Sequence, residues 1–171
     1  MTYNLHPLFV HFPIALLFIY ALIKIIPVQK WFSAVSWKQI ERALLLFGVL
    51  GAFAALLTGD TAEYLFQPNH QLVEMHATFA TLSTWVFGAL LFGEILSMVH
   101  MYINATLHAV GVKRILFALE SLLTDRVFSV VLALIGLIAI SITGLLGGVM
   151  VYGVSADPAA SAVLSLLGIR L

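Results

Sequence analysis

The sequence predicts an all-α integral membrane protein, a single four-helix bundle over residues 1–171, and three observations carry that prediction. The 171 residues are 62% hydrophobic and only 9% charged, far from the composition of a soluble domain. Four apolar stretches, Leu8–Ile26, Arg42–Leu57, His76–Met98 and Val127–Tyr152, approach the roughly 20 helical residues needed to cross a hydrocarbon core of about 30 Å. Seven of the eight Lys and Arg (Lys24, Lys30, Lys38, Arg42, Lys113, Arg114 and Arg126) lie at or between the first two stretches, or between the last two. By the positive-inside rule those connections are cytoplasmic, so the N-terminus, the Gly59–Met75 connection and the C-terminus face outward.

The first helix carries Pro13 in its opening turns, where a missing amide hydrogen is tolerated, and Pro27 helps to end it. It starts close to Met1, without a basic leader or a small-residue cleavage site, and so does not read as a removable signal peptide. Trp31 and Trp37 sit among lysines in the link Val28–Ile40, the mixture expected at a membrane interface. Gly48 and Gly51 in the second helix let a neighbour approach closely. The polar segment Thr58–Met75, with Asp60, Glu63, His70 and Glu74, connects to the third helix. Lys113–Asp125 alternates leucines with charges at helical spacing, which predicts a short cytoplasmic amphipathic helix between helices three and four. Helix four closes in a glycine-rich run from Gly144 to Gly153, and the tail Pro158–Leu171 is weakly amphipathic, suited to the outer surface.

Histidine carries the chemistry of this chain. There is no cysteine, which excludes disulfides, thiolate metal sites and covalent c-type haem attachment. Four of the six histidines, His6, His11, His70 and His76, fall on the predicted outer face beside Asp60, Glu63 and Glu74. His6 and His11 are separated by about 7 Å along a helix and about 140° around it, so they need not share a ligand. A haem between helices needs two axial imidazoles from opposite sides. His11 and His76, each near the first turn of a span at similar depth, form the expected axial pair for haem b, with room for the porphyrin at Gly147 and Gly148. His6 and His70 would bind propionates, a second haem or a partner. Asp60 and Glu63 are expected to solvate the interface, though either could orient a histidine by a second hydrogen bond. His100 and His108 read as interfacial, and Glu94, the one carboxylate well inside a span, is expected to pair with Lys24 or a neighbouring helix.

The string His6-Pro7-Leu8-Phe9-Val10-His11-Phe12-Pro13-Ile14-Ala15-Leu16 resembles the N-terminal signature of a large family of predicted bacterial four-helix membrane proteins of unknown function. The resemblance extends through Gly51-Ala52, Thr58-Gly59-Asp60, His76-Ala77, Gly147-Gly148 and Val151-Tyr152-Gly153-Val154. It implies a multi-pass protein of the bacterial inner membrane, similar in arrangement to membrane cytochromes b. Relatives fused to Rieske iron–sulfur or c-type cytochrome domains imply a redox partner of that kind. Some relatives place a polar residue or histidine just before the double glycine, where this chain has Leu145 and Leu146, so a ligand contributed there is lost.

Three function classes fit these residues. The first is a haem b electron-transfer subunit, with one or two haems, passing electrons between a membrane quinone or partner subunit and an outward redox protein. It would be a redox subunit rather than a stand-alone enzyme, in contact with lipid and open to homo-oligomer formation. The second is a copper, zinc or iron binding or transport protein using His6, His11, His70 and His76 with Glu63 or Glu74, since imidazole suits all three metals. The third is a non-catalytic assembly subunit. No nucleophile elbow, zinc-protease helix, phosphate-binding glycine loop or basic nucleic-acid stripe competes with them.

Overall fold

The computed structural model describes residues 6–66 and 69–169. Residues 1–5, 67–68 and 170–171 lie outside the described residues, and with them both chain ends, for which the charge pattern predicts an outward position. Among the described residues there are six α-helices: α1 (His6–Ile25), α2 (Trp37–Phe66), α3 (His70–Thr106), α4 (Val110–Thr124), α5 (Arg126–Tyr152) and α6 (Ala160–Leu166). Short 3-10 turns lie at Val28–Lys30 and Val154–Ala156, and no strand is present among these residues. By length and composition α2, α3 and α5 are capable of crossing a membrane, whereas α1 contributes a shorter apolar segment, Phe9–Ile25.

α1 and α5 follow the apolar stretches closely, but α2 and α3 run well past theirs. Hydropathy marks the part of a helix that lipid can solvate, while the backbone ladder continues through Gln39, Glu41, Asp60 and Glu63 because nothing in those residues breaks it. Much of the predicted connection Thr58–Met75 is therefore helical, on either side of residues 67–69. The start of α3 is fixed by Asn69, whose side-chain oxygen accepts from the Gln71 and Leu72 amides. His70 consequently begins a helix instead of lying in a loop, and His76 stands nearly two turns inside it. Asp125 caps α5 by accepting from the Phe128 amide, and Gly153, at φ +80°, ends that helix in a conformation that favours glycine.

Each long helix packs beside two others, α1 on α2, α2 on α3, α3 on α5, and α5 on α1. Their common core contains Leu17, Tyr20, Leu45, Val49, Phe87, Leu90, Ala133 and Ile140. Small residues set the separations. A Cβ on Gly48 would meet the Leu17 side chain at 2.6 Å, one on Gly51 the Pro13 ring at 3.2 Å, and one on Gly136 the Phe87 ring at 2.7 Å. In lipid, where burying apolar surface between helices brings little gain, such close approach is what holds helices together.

The predicted amphipathic helix is α4. It has no buried residue and is fastened to α3 by Leu123 over Gly93 and by His100, which lies 2.6 Å from Glu120 and stacks on Phe117. The tail is more than a surface strip, because α6 buries Ala160 and Leu164 in a second cluster with Leu72, Leu146 and Val149. Glu94, 18 residues and thus about 27 Å along α3 from His76, pairs with a neighbouring helix, bonding Lys38 and Arg42 of α2 rather than Lys24. Lys24 and Gln29 instead hold Glu41. The difference follows from the early start of α2 at Trp37, which puts Lys38 and Arg42 four residues apart on one helical face.

Candidate two-histidine site

Four helices meet around two imidazoles. His6 opens α1, Thr58 and Gly59 belong to α2's last third, His76 sits in α3, and Thr143 and Gly147 share one face of α5 four residues apart. The His6 and His76 ring centroids are 6.5 Å apart, with their planes at 72°. Both rings are partly buried.

Each ring is oriented through Nδ1. His76 Nδ1 lies 3.0 Å from the Thr143 carbonyl oxygen. A carbonyl only accepts, so this nitrogen carries the proton. His6 Nδ1 lies 2.9 Å from Thr58 Oγ1, and that hydroxyl also lies 2.9 Å from the Ala55 carbonyl oxygen. The direction of the His6–Thr58 hydrogen bond follows the tautomer of the ring. In neutral His76 the electron pair then resides on Nε2. Burial lowers the His6 pKa below its ordinary 6.5, with a hydrogen bond to the Ala55 carbonyl acting the other way. His6 is accordingly neutral at pH 7.

Glycines shape the walls. A Cβ on Gly147 would lie 3.3 Å from His76 Cε1, and one on Gly59 would stand 4.0 Å from His6 Cε1. Gly148 faces elsewhere: a Cβ there meets nothing within 4 Å, and with Gly144, Ile14 and Phe18 it lines a shallow cavity of about 480 Å³ between α1 and α5.

Of the four residues expected to hold a cofactor, the structure brings His76 and Gly147 together, whereas His11 is exposed on α1 and the imidazole facing His76 is that of His6. Depth alone pairs His11 with His76, but azimuth decides. The buried face of α1 runs through Pro13, Leu17 and Tyr20, and His6 lies seven residues, close to two turns, before Pro13 on that face. His70 is exposed and pairs with Glu74 at 3.8 Å. Asp60 and Glu63 are exposed, as expected of residues that solvate the interface, and the Thr58 hydroxyl is hydrogen-bonded to His6. Thr143 was legible only through its four-residue spacing from Gly147.

Among the described residues, no three His, Asp or Glu side chains converge in a way that could hold a metal ion. Two imidazoles that each bind one metal through a single nitrogen have centroids up to about 6 Å apart, given bonds of about 2 Å. The observed 6.5 Å exceeds that by little. Two imidazoles at this separation would hold one metal centre only if another ligand filled its remaining positions, and hydrogen bonds at the second ring nitrogen are those that ligating histidines ordinarily make.

Residues 2–157 match the family model described as "Predicted membrane protein (DUF2231)". The chain belongs to this family. The match spans α1 to α5 with both site histidines, and α6 lies beyond it. No curated protein and no solved structure matches the chain. Membership in DUF2231 makes the chain a predicted membrane protein and, for its function, leaves the site itself as the guide.

Proposed function

We propose that this DUF2231 protein is a haem b-binding electron-transfer subunit of the bacterial inner membrane, with His6 and His76 as axial ligands. The single observation that carries the reading is the pair of imidazoles 6.5 Å apart, both engaged at Nδ1 by hydrogen bonds. The protein spans the membrane with α1, α2, α3 and α5. The 17 residues of Phe9–Ile25 stand at the short end of the range for a crossing. The histidine end and both termini face outward, and the basic end with Lys24, Lys38 and Arg42 faces the cytoplasm.

Haem b supplies one-electron chemistry when bound between such ligands. The chain's own residues do the positioning. Thr58 and the Thr143 carbonyl fix the two rings, Gly147 and Gly59 keep side chains away from them, and burial keeps His6 in the neutral form that ligates iron. Lipid surrounds the helices, while a quinone or partner subunit and an outward c-type cytochrome or iron–sulfur protein complete the electron path. His11 and His70, both exposed, lie at the surface that would meet such a partner. A tetrahedral zinc or copper centre would call for further protein ligands, and among the described residues no third one joins the pair.

The test is the visible spectrum of detergent-purified protein from haem-replete cells, oxidised and dithionite-reduced. A reduced haem b α band is expected at one haem per chain. A colourless protein carrying stoichiometric copper or zinc would overturn the reading in favour of metal handling, and a colourless, metal-free protein would leave an assembly role.

A further inference from the structure

We propose that Lys38 and Arg42, joined on Glu94 at the basic end of the bundle, form a binding site for the phosphate of an anionic phospholipid. The site is remote from the two histidines and stands whether or not they hold haem. Glu94 offers one negative charge to two cations, its oxygens accepting from Lys38 Nζ and, at 3.0 Å, from Arg42 Nε. The neighbouring Lys24–Glu41 pair is balanced, so one positive charge is left over. The helix adds to it. Lys38 is the second residue of α2, whose first turn holds no acidic residue, and the N-terminal end of a helix is itself positive. Two cations so placed stand against the local field until an anion joins them.

The donors left over have the form a phosphate needs. Arg42 engages Glu94 through Nε, and among the described residues its two Nη groups, with four N–H bonds between them, have no hydrogen-bond partner. No buried side-chain nitrogen among those residues lacks a partner, so the fork opens outward, beside the half-exposed Lys38. A planar guanidinium meets two oxygens of one phosphate. Depth identifies the source of that phosphate. Trp37 immediately precedes Lys38, its indole nitrogen donating to the Phe32 carbonyl at 2.8 Å, and Trp31 and Phe32 are exposed beside it. Aromatic and basic residues mix in this way at the level of lipid headgroups, where basic groups attract anionic lipids. Leu46, one turn beyond Arg42 on the same face, is exposed and offers an acyl chain an apolar bed. A free phosphate ion would gain nothing from it.

The test titrates the full chain, delipidated in a neutral detergent, with short-chain phosphatidylglycerol or with phosphatidylcholine of the same chain length, and counts bound lipid by native mass spectrometry. The wild type is expected to bind one phosphatidylglycerol about fivefold tighter than phosphatidylcholine, and inorganic phosphate is expected not to displace it. Lys38→Gln and Arg42→Lys each leave Glu94 a cation, and each should weaken phosphatidylglycerol binding about fivefold. Lys30→Gln, in the exposed turn Val28–Lys30, is the control and should leave it unchanged. Glu94→Gln supplies the sign. It removes the one anion while keeping an oxygen for Arg42, so binding should strengthen about fivefold, whereas a merely structural Glu94 would weaken it. Circular dichroism checks that each variant is folded. Equal affinity for the two lipids, indifference to both cation variants, an equal loss at Lys30, weaker binding in folded Glu94→Gln, or displacement by inorganic phosphate would each overturn the proposal.

Discussion

Glu94→Leu is expected to destabilise the protein by about 2–3 kcal/mol in detergent unfolding, while Glu94→Gln should cost about half as much. Glu94 is only 7% exposed and is the shared partner of Lys38 and Arg42. Removing one member of a fully buried ion pair costs about 3–5 kcal/mol, because an unpaired charge is left behind. Here the Lys38 side chain is 51% exposed and that of Arg42 33%, so water recovers part of their solvation and the cost falls below that range. Leucine strands both cations, whereas glutamine still offers Arg42 an oxygen. A Glu94→Leu protein as resistant to denaturing detergent as the wild type would show that α2 and α3 do not depend on this link.

The largest local effect on the site is expected from Gly147→Val. A Cβ alone would stand 3.3 Å from His76 Cε1, so alanine asks the ring to give by a few tenths of an ångström. The two further methyl groups of valine leave it no room, and the imidazole must abandon the Thr143 carbonyl. Overpacking of this kind costs about 1–3 kcal/mol, and the displaced His76 no longer faces His6, so the helical fold should persist while ligand binding is lost. Gly148→Val is the control, because its Cβ points into open space. Circular dichroism checks the fold and haem retention checks the site. Equal losses at Gly147 and Gly148 would contradict the geometry.

The contrast between those neighbouring glycines shows how far the sequence could be read. The double glycine stood out, yet only the helix rotation that turns Gly147 toward α3 tells the two apart. The same holds for the histidines. Composition and charge asymmetry were sufficient to identify an all-helical membrane protein and the ends of α1 and α5, because apolar length is a direct physical requirement of lipid. The ends of α2 and α3 were hidden because polar residues such as Glu41 and Asp60 stop the apolar stretch without stopping the helix. His6 and His11 are separated by angle, as their spacing requires, but which one turns inward depends on the register with which Pro13 and Leu17 pack on Gly51 and Gly48. Thr58 stood in a recognisable motif, but its contact with His6 was hidden for a related reason. A helical threonine bonded to its own main chain looks ordinary until a histidine from another helix is placed against it.

The pairing of His6 with His76 is most directly tested by reduced-minus-oxidised visible spectra of three variants, His6→Ala, His76→Ala and His11→Ala, purified alongside the wild type. The geometry predicts that the haem b band disappears in His6→Ala and His76→Ala and survives in His11→Ala. A band that survives loss of His6 and vanishes with His11 would contradict it.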